Sequence, residues 1–199
     1  RDRKYYGFSI DDVAKYSKKS VCAACGIVKR YLINKEALEF KVDCIATGHN
    51  LTDGFVFVLN NLIKGDILLL TKYNIILPKK DGLIPRIKPL FFVYEKETAL
   101  YAHYAGLNPV QSTCPYSKDA PTLKMKNIAL TMEEVQPGSI LQFMKSFLRR
   151  LLPNLRKVNE LTTLQNCIKC GLPSSQKIGS FCKLKINIRE KMAEFVFHE

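Results

Sequence analysis

Cys22, Cys25 and Lys29 stand at i, i+3 and i+7, a spacing that a helix gathers on one face. With Ser20 as its cap, such a helix holds both thiols near its start, where free N–H groups and the helix dipole favour thiolate. Lys29 and Arg30 add positive charge beside them. Thiolates in that setting suit sulfur transfer or iron–sulfur ligation, although two idle thiols would leave the same spacing. A second Cys-x-x-Cys pair, Cys167 and Cys170, lies near the other end of the chain. Cys114 precedes Pro115 at an expected strand end and by itself reads as a buried cysteine. Cys44, among Val42, Ile45 and Ala46, reads as core.

Seven cysteines in 199 residues are too few for a disulfide scaffold and odd in number. In a chain whose opening Arg-Asp-Arg-Lys has no apolar core, two such pairs favour metal or redox chemistry, and we expect a cytoplasmic setting. Lys and Arg total 31 against 18 Asp and Glu, a net charge of +13. A polyanion is therefore the first partner to consider, and basic charge spread along a folded domain favours nucleic acid over lipid. The most apolar stretch, Ile67 to Leu77, is broken by Lys72 and ends at Pro78, too short to span a bilayer, so no membrane partner is expected.

The elements that must position these residues read as follows. A short helix near Ile10 to Tyr16 precedes the cysteine helix at about Val21 to Phe40, whose apolar stripe includes Val28, Leu32 and Leu38. Val42 to Thr47 reads as a buried strand of a parallel sheet, Gly48-His49-Asn50 as a turn, and Leu51 to Lys64 as the next helix. That order is half of a βαβ unit, whose ligands gather at the carboxyl ends of the strands. Asp81-Gly82 suggests a hairpin turn, and Arg86 to Leu90 an extended basic segment. A helix from about Glu95 to Ala105 and a strand into Cys114 follow. Residues 117–137 read as loop with a short helix, and Ile140 to Leu152 as an amphipathic helix carrying Lys145, Arg149 and Arg150.

Four motifs in order, Cys22-Ala23-Ala24-Cys25-Gly26-Ile27-Val28-Lys29-Arg30, Ala46-Thr47-Gly48-His49-Asn50-Leu51-Thr52-Asp53, Arg86-Ile87-Lys88-Pro89-Leu90 and Cys114-Pro115-Tyr116, carry a resemblance over nearly the whole chain. The chain resembles the tRNA 2-thiouridine synthetases (thiolases) of the PP-loop ATPase superfamily, most of all the branch acting on the T-loop uridine. The resemblance implies an α/β fold, a parallel sheet flanked by helices of the adenine nucleotide alpha-hydrolase type, shortened at its front and followed by a zinc-ribbon-like segment. The corresponding divisions are 1–116 for the catalytic domain, 117–160 for a helical tRNA-binding region and 161–199 for the ribbon.

It also implies an ATP- and Mg²⁺-dependent tRNA sulfurtransferase that adenylates the C2 oxygen of a uridine before sulfur displaces AMP, the alternative being a catalytically incomplete tRNA-binding subunit or fragment. Cys22, Cys25 and Cys114 would hold a [4Fe–4S] cluster with one iron open to sulfur; a persulfide resolved as a disulfide fits the same cysteines. Lys29 would offset charge at the nucleotide or the oxyanion, and Asp53 would accept a proton or contact Mg²⁺. Gly48 and His49 would form the turn near the nucleotide, His49 having the alternative of a packing role. Arg86 and Lys88 would contact phosphate of ATP or tRNA, or form a solvated basic strand. Implied partners are tRNA, a ubiquitin-like sulfur carrier and a second copy in a homodimer. Three departures stand out. No Ser-Gly-Gly-Lys-Asp-Ser loop or other glycine-rich phosphate loop occurs in these residues. Thr52 replaces the first acid of an Asp-Asp pair, and Gly54 stands where an acid is common. Cys167, Cys170, Gly171 and Cys182 suit a zinc site, but Lys185 takes the fourth cysteine's place, leaving His198 as the downstream candidate. A vestigial ribbon held by packing is the alternative.

Overall fold

The structure, a computed structural model, describes residues 7–79, 82–110, 114–117, 121–158 and 164–196. The chain divides into two compact units that interleave along the sequence. The first comprises Arg1–Asp43, Lys79–Ile84 and Thr162–Glu199; the second comprises Cys44–Pro78 and Pro85–Leu161.

In the first unit, helix α1 (Ile10–Tyr16) starts at a reciprocal cap in which Ser9 and Asp12 satisfy each other's backbone N–H groups. Helix α2 (Val21–Glu39) follows the expected span, because its strong helix formers meet a Ser20 cap. Its buried positions Ala24 and Val28 pack in one cluster with Phe8, Val13, Phe181, Leu184, Ile188 and the sulfurs of Cys167 and Cys182. Tyr31 stacks on Phe181 at 3.7 Å between ring centroids.

The second unit contains β1 (Ile45–Ala46), α3 (Leu51–Ile63), α4 (Ile67–Thr71), β2 (Ile76–Leu77), β3 (Arg86–Ile87), α5 (Glu95–Tyr104), α6 (Pro121–Val135), α7 (Ser139–Ser146), a π-helical turn at Phe147–Leu151 and α8 (Leu152–Val158). Its core joins Leu51, Phe55 and Val58 of α3 to Phe91, Ile140, Met144, Phe147 and Leu152.

The expected α/β fold with a parallel sheet flanked by helices is corrected here. The structure is 59% helix and 6% strand, and its sheets are small and unclosed. One sheet has the order β1-β3-β2, with β1 parallel and β2 antiparallel to β3. Each strand is two residues long. The physical reason lies at β1: it pairs with β3 alone among the described strands, and Val42 beside it remains 38% exposed. A buried parallel strand needs cover on both faces. Cys44, expected in the core, is exposed for the same reason.

Two helices also differ from expectation. Residues 121–135 form a fifteen-residue helix rather than a loop with a short helix. Ala129 is its only fully buried residue among those described, so the apolar stripe that reveals a helix in sequence is nearly missing. The helix expected from Ile140 to Leu152 runs instead to Val158 through the π-helical turn.

Candidate functional site

The thiols of α2 sit where the spacing places them. Ser20 Oγ accepts the Ala23 N–H at 3.4 Å, which starts the helix just ahead of Cys22. Cys22 and Lys29 are exposed and Cys25 is half-buried, while Ala24 and Val28 anchor the opposite face. The helix therefore turns its sulfur-bearing side outward.

In the same unit, Cys167, Cys170 and Cys182 bring their sulfurs within 4.8 Å of one another. Two short strands, β4 (Gln165–Asn166) and β5 (Pro173–Ser174), pair antiparallel around the knuckle. Gly171, at φ +73°, makes the tight turn that lets its N–H reach the Cys167 carbonyl at 2.8 Å. Cys182 comes from the first turn of α9 (Ser180–Val196). The Gly179 N–H donates to Cys167 Sγ at 3.2 Å. Burial opposes ionisation of Cys167, yet N–H donors from Gly179, Lys169 and Cys170 outweigh it and bring the thiol down to about 6. Burial, then the neighbouring thiols, push Cys182 up to about 12. A tetrahedral Zn²⁺ with Zn–S of about 2.3 Å sets its sulfurs ~3.8 Å apart, so the donor set fits one ion after a small contraction. His198 lies outside the described residues.

The turn after β1 carries the polar cluster of the second unit. His49 Nδ1 lies 2.9 Å from Thr47 Oγ1, and both Gly48 and His49 are exposed. Nothing crowds the position of a Cβ at Gly48. Asn50 caps α3: its Oδ1 accepts the Asp53 N–H at 2.9 Å, and Asp53 Oδ2 accepts the Asn50 N–H at 3.3 Å. The other oxygen of Asp53 meets Lys126 Nζ at 2.9 Å, and the same ammonium meets Glu95 Oε1 at 2.7 Å. Burial lowers the pKa of Lys126, but the bonds to Glu95 and Asp53 overcome that and raise it. Thr52 is buried, and its Oγ1 accepts the free Glu95 N–H at the start of α5, at 3.3 Å. Thr52 thus serves as a helix-end acceptor. Gly54 has a packing reason as well: a Cβ there would sit 2.6 Å from the Tyr73 hydroxyl.

The basic residues divide into two kinds. Arg86 is half-buried in β3. Lys88 is also half-buried, donating to the Asn74 carbonyl at 2.6 Å and lying 4.0 Å from the centre of the Tyr73 ring; burial draws its pKa down to about 8. Lys145, Arg149 and Arg150 are exposed, as is Lys157. No acidic residue occurs from Gly138 to Val158, and among the described residues these four cations have no ion-pair partner. The π-helical turn sets their register: core positions run Ile140, Met144, Phe147 and then Leu152, which is 2% exposed while Leu151 is 48% exposed. Arg156 points inward, donating to the Thr71 and Tyr73 carbonyls at 2.9 Å each.

Cys114 is exposed and belongs to the second unit, where its carbonyl accepts the Ser117 hydroxyl at 2.7 Å. The structure gathers Cys167, Cys170 and Cys182, and it joins Asp53 to a lysine the sequence did not point to. Lys126 lies far along the chain from Asp53 on a helix with little apolar pattern, so no local signal marks it.

No protein-family model matches the chain. Known proteins do. It is 34% identical over 182 residues to the tRNA-5-methyluridine(54) 2-sulfurtransferase of Thermus thermophilus, covering 92% of this chain and 56% of that one. The enzyme of the same name from Pyrococcus horikoshii is 36% identical, covering 92% and 58%. Cytoplasmic tRNA 2-thiolation protein 1 of Oryza sativa is 35% identical, covering 90% and 49%. The chain thus spans about half the length of the curated relatives it matches. Among solved structures, the U34-tRNA thiolase NcsA from Methanococcus maripaludis with its [4Fe–4S] cluster superposes with a TM-score of 0.69 at 27% identity, covering 94% of this chain and 58% of that one.

Proposed function

Because this chain belongs to the tRNA 2-thiouridine synthetase (thiolase) family, we propose that it serves the thiolation of a tRNA uridine and is catalytically incomplete as these 199 residues alone. The observation that carries the reading is similarity over about nine-tenths of the chain to thiolases of two tRNA positions. No glycine-rich phosphate loop occurs in these residues, so no step through ATP is assigned to them.

Cys22, Cys25 and Cys114 would hold a [4Fe–4S] cluster, which supplies an iron open to an incoming sulfur. The two thiols of α2, one exposed and one half-buried, stand one helical turn apart and suit that donor chemistry. Lys29, on the same face, would place positive charge toward the nucleotide or the developing oxyanion. Asp53 would act at the base or at Mg²⁺, held in place by Lys126. The exposed ridge of Lys145, Arg149 and Arg150 would lie against tRNA phosphates, while Arg86 and Lys88 would serve as more sheltered contacts beside the Gly48–His49 turn. Cys167, Cys170 and Cys182 would bind zinc. A set this tight suits one ion better than a four-iron cube, whose ligands sit on separate irons. Sulfur delivery by a ubiquitin-like carrier, a cytoplasmic setting and a homodimer complete the proposal. No helix among the described residues is long and apolar enough to cross a membrane.

Anaerobic iron, sulfide and zinc analysis tests this reading. About four irons per chain, lost in Cys114→Ala, with zinc retained, is the expected result. Iron content unchanged by Cys22→Ala, Cys25→Ala and Cys114→Ala would remove the cluster assignment. In a longer protein carrying the phosphate loop, Cys22→Ala should abolish tRNA thiolation while leaving tRNA binding in place.

A further inference from the structure

Four-coordinate zinc sites that serve structure alone are closed by four protein ligands, whereas sites that exchange a ligand present three and keep one corner open. The Cys167, Cys170 and Cys182 set offers three. Among the described residues, no other Cys, His, Asp or Glu joins their group. The position that would close a second Cys-x-x-Cys pair, one turn beyond Cys182 on α9, is Lys185. Residues at i and i+3 share a helix face, and at neutral pH a lysine ammonium has no lone pair to give.

Burial says which side is open. Cys167 and Cys182 lie in the core of the first unit, but Cys170 is half-buried and its neighbours Ile168, Lys169 and Gly171 are exposed. The knuckle therefore meets solvent on the Cys170 side. Charge says what would enter. Three thiolates on a divalent ion leave one negative charge, and a fourth thiolate doubles it. A cation on the helix face of Cys182 offsets that charge where a fourth cysteine would have added to it. A metal already softened by three sulfurs takes another sulfur readily.

We propose that this is an open three-thiolate centre, whose fourth corner takes a small external sulfur ligand, a thiol or hydrosulfide, beside Lys185. The inference rests on the reading of these cysteines as a metal site. On binding, the thiol releases its proton to solvent, and its sulfur displaces a water from the metal without redox change.

The test is cobalt substitution of the purified full chain under anaerobic conditions. One Co²⁺ should bind with the visible bands of a tetrahedral site, lost in Cys182→Ser and retained in Cys22→Ser. Titration with 2-mercaptoethanol, and separately with sodium hydrosulfide, should raise the sulfur-to-cobalt charge-transfer band saturably by about one third, the step from three thiolates to four. Lys185→Cys should show the higher band at once and ignore added thiol. A wild-type spectrum that does not respond to either ligand overturns the open centre. So does a response that appears only in His198→Ala, because the chain then closes its own site. Failure to bind cobalt, or binding untouched by Cys182→Ser, overturns the metal reading itself, so the two failures are distinct.

Discussion

The two units stabilise themselves by different means. The core of the second is apolar, built on Leu51, Phe55, Val58, Phe91, Met144 and Phe147, with no cysteine among its buried members. The core of the first counts Cys167 and Cys182 among its nine buried members. Its thiols are both packing atoms and a donor set. One unit is built on apolar burial, whereas the other keeps a candidate metal donor set inside its core.

The largest expected effect follows from that contrast. Chelation, or Cys182→Ala, should cost the first unit ~5 kcal/mol or more, since structural zinc contributes much of the folding free energy of small domains. Scanning calorimetry should show one transition lost or lowered and another unchanged. A uniform shift of a single transition would break the comparison. Next in size, Gly54→Ala should destabilise the second unit by about 1–2 kcal/mol, overpacking against Tyr73 and Phe91 outweighing the gain in helix propensity. Tyr73→Phe removes the atom 2.6 Å from the new Cβ and should rescue much of the loss in urea denaturation. Lys126→Met should cost ~1 kcal/mol, because its partly exposed pairs with Asp53 and Glu95 are screened by solvent; Lys126→Arg should recover part of it.

Arg149→Gln and Arg150→Gln should leave thermal stability unchanged while each lowers the salt slope of tRNA binding by about 0.9. The last effect concerns pH and shows only above neutrality. Lys88 drops from an ordinary 10.5 to about 8 on folding. Between those values the unfolded chain keeps a proton that the folded one has shed, so the contribution to stability rises with pH and is lost as pH falls toward 8. Lys88→Met should flatten that part of the curve.

The thiol helix was legible because its signals are local: a serine cap, strong helix formers and cysteines at i and i+3. The knuckle was legible for the same reason, through Cys167, Cys170 and Gly171. What the sequence hid was pairing at a distance. Val42 to Thr47 has the composition of a buried strand, but composition does not state how many neighbours a strand will have, and among the described strands β1 has one. Residues 121–135 lack a stripe because polar ties, Lys126 to Asp53 and Glu133 to Tyr94, do part of the work of apolar packing. Thr52 and Gly54 looked like losses of acids. In the structure each has its own occupation, one accepting the first N–H of α5 and the other making room for Tyr73.

The interleaving of the units sets a timetable. On a ribosome adding ~5–20 residues per second, α2 is made well before Cys167, Phe181 and Cys182, the residues its buried face packs against, have been added. The second unit, contiguous but for a short excursion, can form in that interval. Cys22 and Cys25 therefore pass through a waiting period in which the helix bearing them has only Phe8 and Val13 of its cluster to pack on, and Phe181, Leu184 and Ile188 of α9 bring it to an end.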